Sequence, residues 1–174
     1  NRVLGPDFEG RPTERDRVPA QLLWGEVSTP NRPDLAAEWD GRDLSGYAGD
    51  LWWSRDDGKW DSFVELKDIS DDFRADNGFI PQVGISAGYA EGGRTWRPEE
   101  GAVRRLRVSG IYKYKEDQQG NLLERFTTAA IGIDATRSIY FRLEAAREDL
   151  RAIDHVFERQ QLRPTFQIRP GRVW

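Results

Sequence analysis

The sequence predicts an all-β, antiparallel fold. Three observations carry this: long runs of alternating apolar and polar residues, turn residues recurring between those runs, and almost no helical periodicity. Alternation at a period of two gives a strand one apolar and one polar face. Ile139, Phe141, Leu143 and Ala145 alternate with Tyr140, Arg142 and Glu144. Leu162, Pro164, Phe166 and Ile168 alternate with Arg163, Thr165, Gln167 and Arg169. Leu106, Val108, Gly110, Tyr112 and Tyr114 alternate with Arg105, Arg107, Ser109, Ile111 and Lys113. Val83, Ile85, Ala87 and Tyr89 form a fourth apolar set, with Gln82, Gly84, Ser86 and Gly88 as the polar one.

Strands are expected near residues 2–9, 18–28, 46–55, 59–68, 81–90, 102–115, 122–135, 138–148 and 160–170. Asp56-Asp57-Gly58 reads as a hairpin turn, and Glu116 to Asn121 joins two further strands. Glu91-Gly92-Gly93 is expected to open a loop ending near Gly101, and Pro30 to Gly46 to form a long polar connection. A short helical turn is expected over Ser70 to Asn77. Ser70 would cap it, Asp71 and Asp72 would face its positive end, and Gly78 would release the chain. Ala145 to Phe157 is expected to finish a strand and then run as a loop.

Composition sets the class. Residues 1–174 are long enough for one domain and read as a single antiparallel β region. Aromatics at 11%, with seven Trp, separate the chain from disordered sequences despite 32% charged residues. The apolar runs are too short for a spanning helix. There is no signal-peptide pattern behind Asn1 and no Met, so a processed or excised piece of a larger protein is expected. The absence of Cys removes disulfides and thiolate metal sites, and a net charge of -4 argues against nucleic acid as a partner. Lys occurs only at positions 59, 67, 113 and 115, so positive charge is nearly all Arg, whose planar fork suits fixed carboxylate pairs.

Such alternation serves either a soluble β-sandwich or a β-barrel, and pattern alone leaves both open. An outer-membrane barrel would place the apolar faces against lipid and the Arg- and Glu-bearing faces in a wet lumen. Trp24, Trp52, Trp53, Trp60, Tyr112, Tyr114 and Tyr140 would then supply aromatic girdles near strand ends.

The stretch Asp68-Ile69-Ser70-Asp71-Asp72-Phe73-Arg74-Ala75-Asp76-Asn77-Gly78-Phe79-Ile80-Pro81 resembles a recurrent segment of a family of large bacterial outer-membrane proteins. In that family a module similar to family 9 carbohydrate-binding modules precedes a C-terminal region, domain of unknown function 5916. The family segment has Pro, Leu and Arg where this chain has Asp71, Asn77 and Gln82. Ala20-Gln21-Leu22-Leu23, Ser28-Thr29 and Trp96-Arg97-Pro98 agree in kind with its flanks. The resemblance implies a segment of an outer-membrane-type β-barrel in the bacterial cell envelope, with outer-membrane lipid and the rest of a larger barrel as partners. The carbohydrate-binding-like module itself lies outside this chain.

No catalytic constellation stands out, and a non-enzymatic role without cofactor is expected. The single His155 sits in a polar stretch with no nucleophile pattern beside it, and zinc would need several such ligands. Asp68, Asp71, Asp72 and Asp76 lack EF-hand spacing, and turn formation accounts for them. Ser70, Asp72, Phe73, Gly78, Phe79 and Pro81 are expected to build a structural turn that plugs Phe73 and Phe79 against neighbouring strands. Trp52, Trp53 and Trp60 flank one hairpin and are the best hint of ligand stacking, with carbohydrate as the ligand. Adjacent Trp52 and Trp53 must, however, point to opposite faces.

Overall fold

The computed structural model describes residues 1–35, 40–74, 82–153 and 155–168. Among these residues ten strands form one antiparallel sheet. They are β1 (Arg2–Leu4), β2 (Asp7–Thr13), β3 (Asp16–Ser28), β4 (Asp43–Asp56), β5 (Trp60–Ile69), β6 (Ile85–Trp96), β7 (Val103–Asp117), β8 (Leu122–Ala135), β9 (Ile139–Ala152) and β10 (His155–Ile168). From β3 to β10 each strand pairs with the next in sequence, while β1 and β2 together pair along the free edge of β3. All these pairings are antiparallel, and the sheet does not close. Eight antiparallel steps separate the β1–β2 edge from β10, so those two edges run in the same direction.

Several boundaries differ from the sequence reading. The expected first strand is interrupted after Leu4 because Pro6 lacks an N–H, and the chain resumes pairing at Asp7. Glu91-Gly92-Gly93 lies inside β6, which runs on to Trp96. There the missing side chain of Gly93 leaves room for the Arg107 guanidinium crossing above it. The expected loop after Ala145 is instead a continuous hairpin: β9 extends to Ala152, and His155 already starts β10. The apolar and polar faces assigned to residues 82–89 are inverted. Tyr89 pairs beside Lys113 and Glu65, whereas Gly88 lies between Leu66 and Tyr114. Small residues had concealed that phase.

The sandwich alternative is not what forms, since all ten strands belong to one sheet. The exposed area is 12677 Å² for 20.0 kDa. A compact monomer of that mass would expose roughly 8,700 Å². Among the described residues five hydrophobic ones fall in the buried class: Val27, Ile69, Phe73, Ile85 and Ala130. The only buried hydrophobic cluster among the described residues joins Ile69, Phe73 and Ile85, with Leu23, Ala48 and Leu123 packed against it. This cluster depends on two glycines. A Cβ on Gly46 would lie 2.4 Å from the Phe73 backbone nitrogen, and one on Gly25 would lie 3.3 Å from the Phe73 ring. The segment after β5 therefore folds back across bare backbone of β3 and β4. Gly46→Ala should lower stability by about 1–3 kcal/mol, the usual cost of overpacking a fixed backbone contact. Thermal unfolding monitored by circular dichroism checks this.

Candidate functional site

Register sorts the side chains into two faces. On one face lie Leu22 and Trp24 of β3, Leu51 and Trp53 of β4, Trp60, Val64 and Leu66 of β5, and Ala90 and Trp96 of β6. Leu106, Val108 and Tyr112 of β7, Ile131 and Ile133 of β8, Phe141 and Leu143 of β9, and Leu162 and Phe166 of β10 continue it. Many of these apolar side chains are exposed, including Trp24 at 51%, Leu66 at 54%, Leu162 at 68% and Phe166 at 63%. Ile139, Phe141, Leu143 and Ala145 share this face, and Tyr140, Arg142 and Glu144 share the other, as strand geometry requires.

The opposite face is ion-paired across strands. Arg107 makes a bidentate pair with Asp61, its two terminal nitrogens donating at 2.5 and 2.6 Å. Arg105 donates to Asp134 at 2.5 Å. Glu144 accepts from Arg142 at 2.9 Å and from Arg163 at 3.3 Å, and Glu148 accepts from Arg159. In β8 the side facing this array is the covered one: Thr128, Ala130 and Gly132 are buried while Thr127, Ala129 and Ile131 are exposed. The sheet thus curls toward its ion-paired face.

Inside that curl lies a cleft of about 590 Å³ whose lining includes Asp50, Lys67, Tyr89, Lys113, Lys115 and Glu124. Lys67 reaches Glu65 at 3.0 Å and Asp50 at 3.7 Å, and Lys115 reaches Glu124 at 3.8 Å. Lys113 has no carboxylate partner among the described residues. It lies 5.8 Å from the Tyr89 ring centroid and 5.7 Å from that of Phe126. One oxygen of Asp50, Oδ1, is buried and accepts no hydrogen bond from the described residues. The aromatic row continues across the strands, with Trp52 5.6 Å from Phe63 and Phe63 5.8 Å from Tyr89.

Trp52 thus belongs to the ion-paired face. Trp53 lies on the other and donates to Asp16 at 3.0 Å. Trp60 shares the apolar face with Trp53, stacked on Arg94 at 4.8 Å, so the three tryptophans form no common platform. Ser70 does not cap the turn that follows it. Its hydroxyl accepts from Tyr47 N–H at 2.8 Å and donates to Tyr47 O at 3.2 Å, fastening the end of β5 to β4. Asp72 is exposed in the turn, and Phe73 is 3% exposed in the cluster described above. Gly78, Phe79 and Pro81, and residues 75–77 of the expected helical turn, lie outside the described residues, while Ser70 to Arg74 form a turn and no helix. His155 is exposed at the start of β10. Among the described residues no group of acidic or His side chains could hold a metal ion.

Sequence reasoning did not bring Asp50, Tyr89 and Lys113 to the lining of one cleft. A usable signal was present: three of the four lysines occupy the polar phase of strands. Comparison with family models, curated proteins and solved structures found no match.

The Trp-flanked hairpin carries its own titratable clasp. Asp57 accepts from the amides of Trp60 at 2.7 Å and Lys59 at 3.0 Å, and these bonds hold its carboxyl below its ordinary value of 3.8. A depressed folded value stabilises the turn above the unfolded value, and that contribution is lost as pH falls through the folded one. NMR titration should place the Asp57 midpoint below 3.8, and Asp57→Ala should abolish the acid-dependent loosening of the turn.

Proposed function

We propose that this chain is a non-enzymatic wall segment of a bacterial outer-membrane β-barrel. Its apolar face would meet lipid and its ion-paired face would line a wet lumen. The observation that carries the reading is the course of the apolar band. In β3 it is centred near Gln21, and in β10 near Thr165. Followed through the registers, the centre shifts by about eight residues along the strand axis over seven strand steps. At ~3.3 Å per residue and ~4.8 Å per step, the band crosses the strands at roughly 40° from the perpendicular. Strands of outer-membrane barrels tilt by about 35–45°, which turns such an oblique band into a level belt.

Two further features favour the reading. The band covers roughly 800 Å², from its width in strands and about six residues of height, whereas the largest apolar patch on a typical soluble monomer is about 300–600 Å². Charged side chains on the apolar face gather at or beyond the belt's margins. Arg55 pairs with Asp16 at 3.1 Å and Arg125 with Asp149 at 2.5 Å. Arg94 lies between Trp60 and Trp96, 4.8 Å from each ring, as a snorkelling side chain in an aromatic girdle would. The parallel sense of the two sheet edges means that an all-antiparallel ring needs an odd number of additional strands. This supports a segment of a larger wall, the architecture that the resemblance of residues 68–81 implies.

Fractionation of the native full-length protein tests the proposal. It should remain with membranes and require detergent, and recovery in plain aqueous buffer would defeat it. In bilayers, Ile131→Arg on the apolar face should cost about 2–4 kcal/mol. Gln161→Arg on the ion-paired face should cost less than about 1 kcal/mol, the range for lipid-remote or interfacial charge. Urea unfolding in vesicles measures both.

A further inference from the structure

We propose that a groove on the apolar face docks a lipid with a protonated amine head. Its hydrocarbon tail lies in the groove and its amine between Asp68 and Glu116, an assignment that rests on the lipid-facing reading of that face. The groove has a volume of about 650 Å³ and crosses β2 to β7, with Phe8, Leu22, Leu51 and Leu66 along it. Two glycines open it. Gly49 pairs with Leu22 in one cross-strand row, and Gly88 with Leu66 in the next. The nearest atom to a Cβ on either would be a leucine methyl, at 3.6 and 3.7 Å, so the backbone has room for side chains that the sequence omits. The groove is bordered by described residues throughout. Phe73 and Gln82, on either side of residues 75–81, contact Gly25 and Lys115 on the opposite face.

Charge selects the occupant. The row that holds Gly49 continues to Asp68, then Ser86, then Glu116, all in register on the apolar face. Asp68 accepts from the Tyr47 hydroxyl at 3.0 Å, the Ser86 hydroxyl at 2.9 Å and the Gln118 amide at 3.0 Å. Glu116 accepts from the Tyr114 hydroxyl at 2.8 Å. These donors are neutral. The lysines beside the two acids in sequence, Lys67 and Lys115, make their ion pairs with Glu65, Asp50 and Glu124 on the opposite face. The two carboxylates are thus fixed in place without a cation from the described residues. A lone charge beside lipid is costly, and a cationic head relieves it. Asp68 and Glu116 stand two strand spacings apart, ~10 Å at the backbone, and an ammonium brings three N–H donors to the gap between them. An amine without a tail would leave the leucines uncovered. A fatty acid would set its carboxylate against two others.

Isothermal titration of the native full-length protein in neutral maltoside micelles tests the proposal, with dodecylamine as the probe and dodecanoate and butylamine as controls. Dodecylamine should bind saturably at one site, at least about tenfold tighter than either control. Asp68→Asn and Glu116→Gln should each weaken it by about tenfold, the effect of one lost charge-assisted hydrogen bond. Gly49→Leu, which fills the groove, should weaken it by at least as much. Glu99→Gln, in the β6–β7 connection at the other end of the strands, should leave it unchanged. Circular dichroism verifies that each variant is folded. Equal binding of dodecylamine and dodecanoate would overturn the proposal, as would folded Asp68→Asn and Gly49→Leu variants with unaltered affinity. Amine preference in a protein recovered without detergent would defeat the wall reading and leave the groove standing. Membrane retention without that preference would defeat the groove alone.

Discussion

Everything in this molecule follows from pairing strands in register at a side-chain period of two. Each strand shows alternate residues to opposite sides, and antiparallel register passes that division to its neighbour unchanged. A one-residue slip would carry the charges of one face into the middle of the apolar band. The cross-strand pairs exclude this: Asp61 reaches Arg107 over Gly93, and Leu51 meets Leu66 on the other side. The fold is specified by this division of faces more than by burial, since five hydrophobic residues are in the buried class and a single small cluster is packed from the described ones.

Most of that plan was legible in the chain. The runs through Leu106–Tyr114, Ile139–Ala145 and Leu162–Ile168 announce their faces because large apolar residues alternate with charged ones. Where side chains are small, the signal fails. Ala87, Gly88, Ala90 and Gly92 give β6 no strong phase, so only its neighbours' register reveals that Tyr89 faces Lys113. The Ala145–Phe157 stretch misleads for a different reason. Its Ala, Arg and Glu favour helix locally, but pairing of Arg147 with Glu158 at 3.1 Å and of Glu148 with Arg159 rewards extension into a hairpin. Local preference yields to cross-strand contacts that a linear reading does not see.

The cleft was illegible for a related reason. Its groups come from β4, β5, β6, β7 and β8, and no two of the lysine-bearing strands are adjacent in space. Lys67 and Lys115 stand in register on either side of Ala87 of β6. The rarity of lysine was visible, but its meaning required the register. The tryptophans misled in the opposite sense. They cluster in sequence around one turn, yet the strand period sends Trp52 inward and Trp53 outward.

The same arithmetic ties the two faces to one role. A sheet that curls toward its ion pairs must stretch its other side, spreading the apolar side chains apart and exposing them. Water opposes such a surface in proportion to its area, at ~25 cal/mol per Å². Roughly 800 Å² of exposed band would therefore carry a penalty on the order of 20 kcal/mol in water, larger than the net stability of a typical domain. An ion-paired interior adds little to offset it, because solvent-accessible pairs are worth about 0.2–1 kcal/mol each. The arrangement is coherent only if the apolar side is covered. Under the proposed reading that cover is lipid, because a belt inclined at the tilt of barrel strands would lie level in a bilayer.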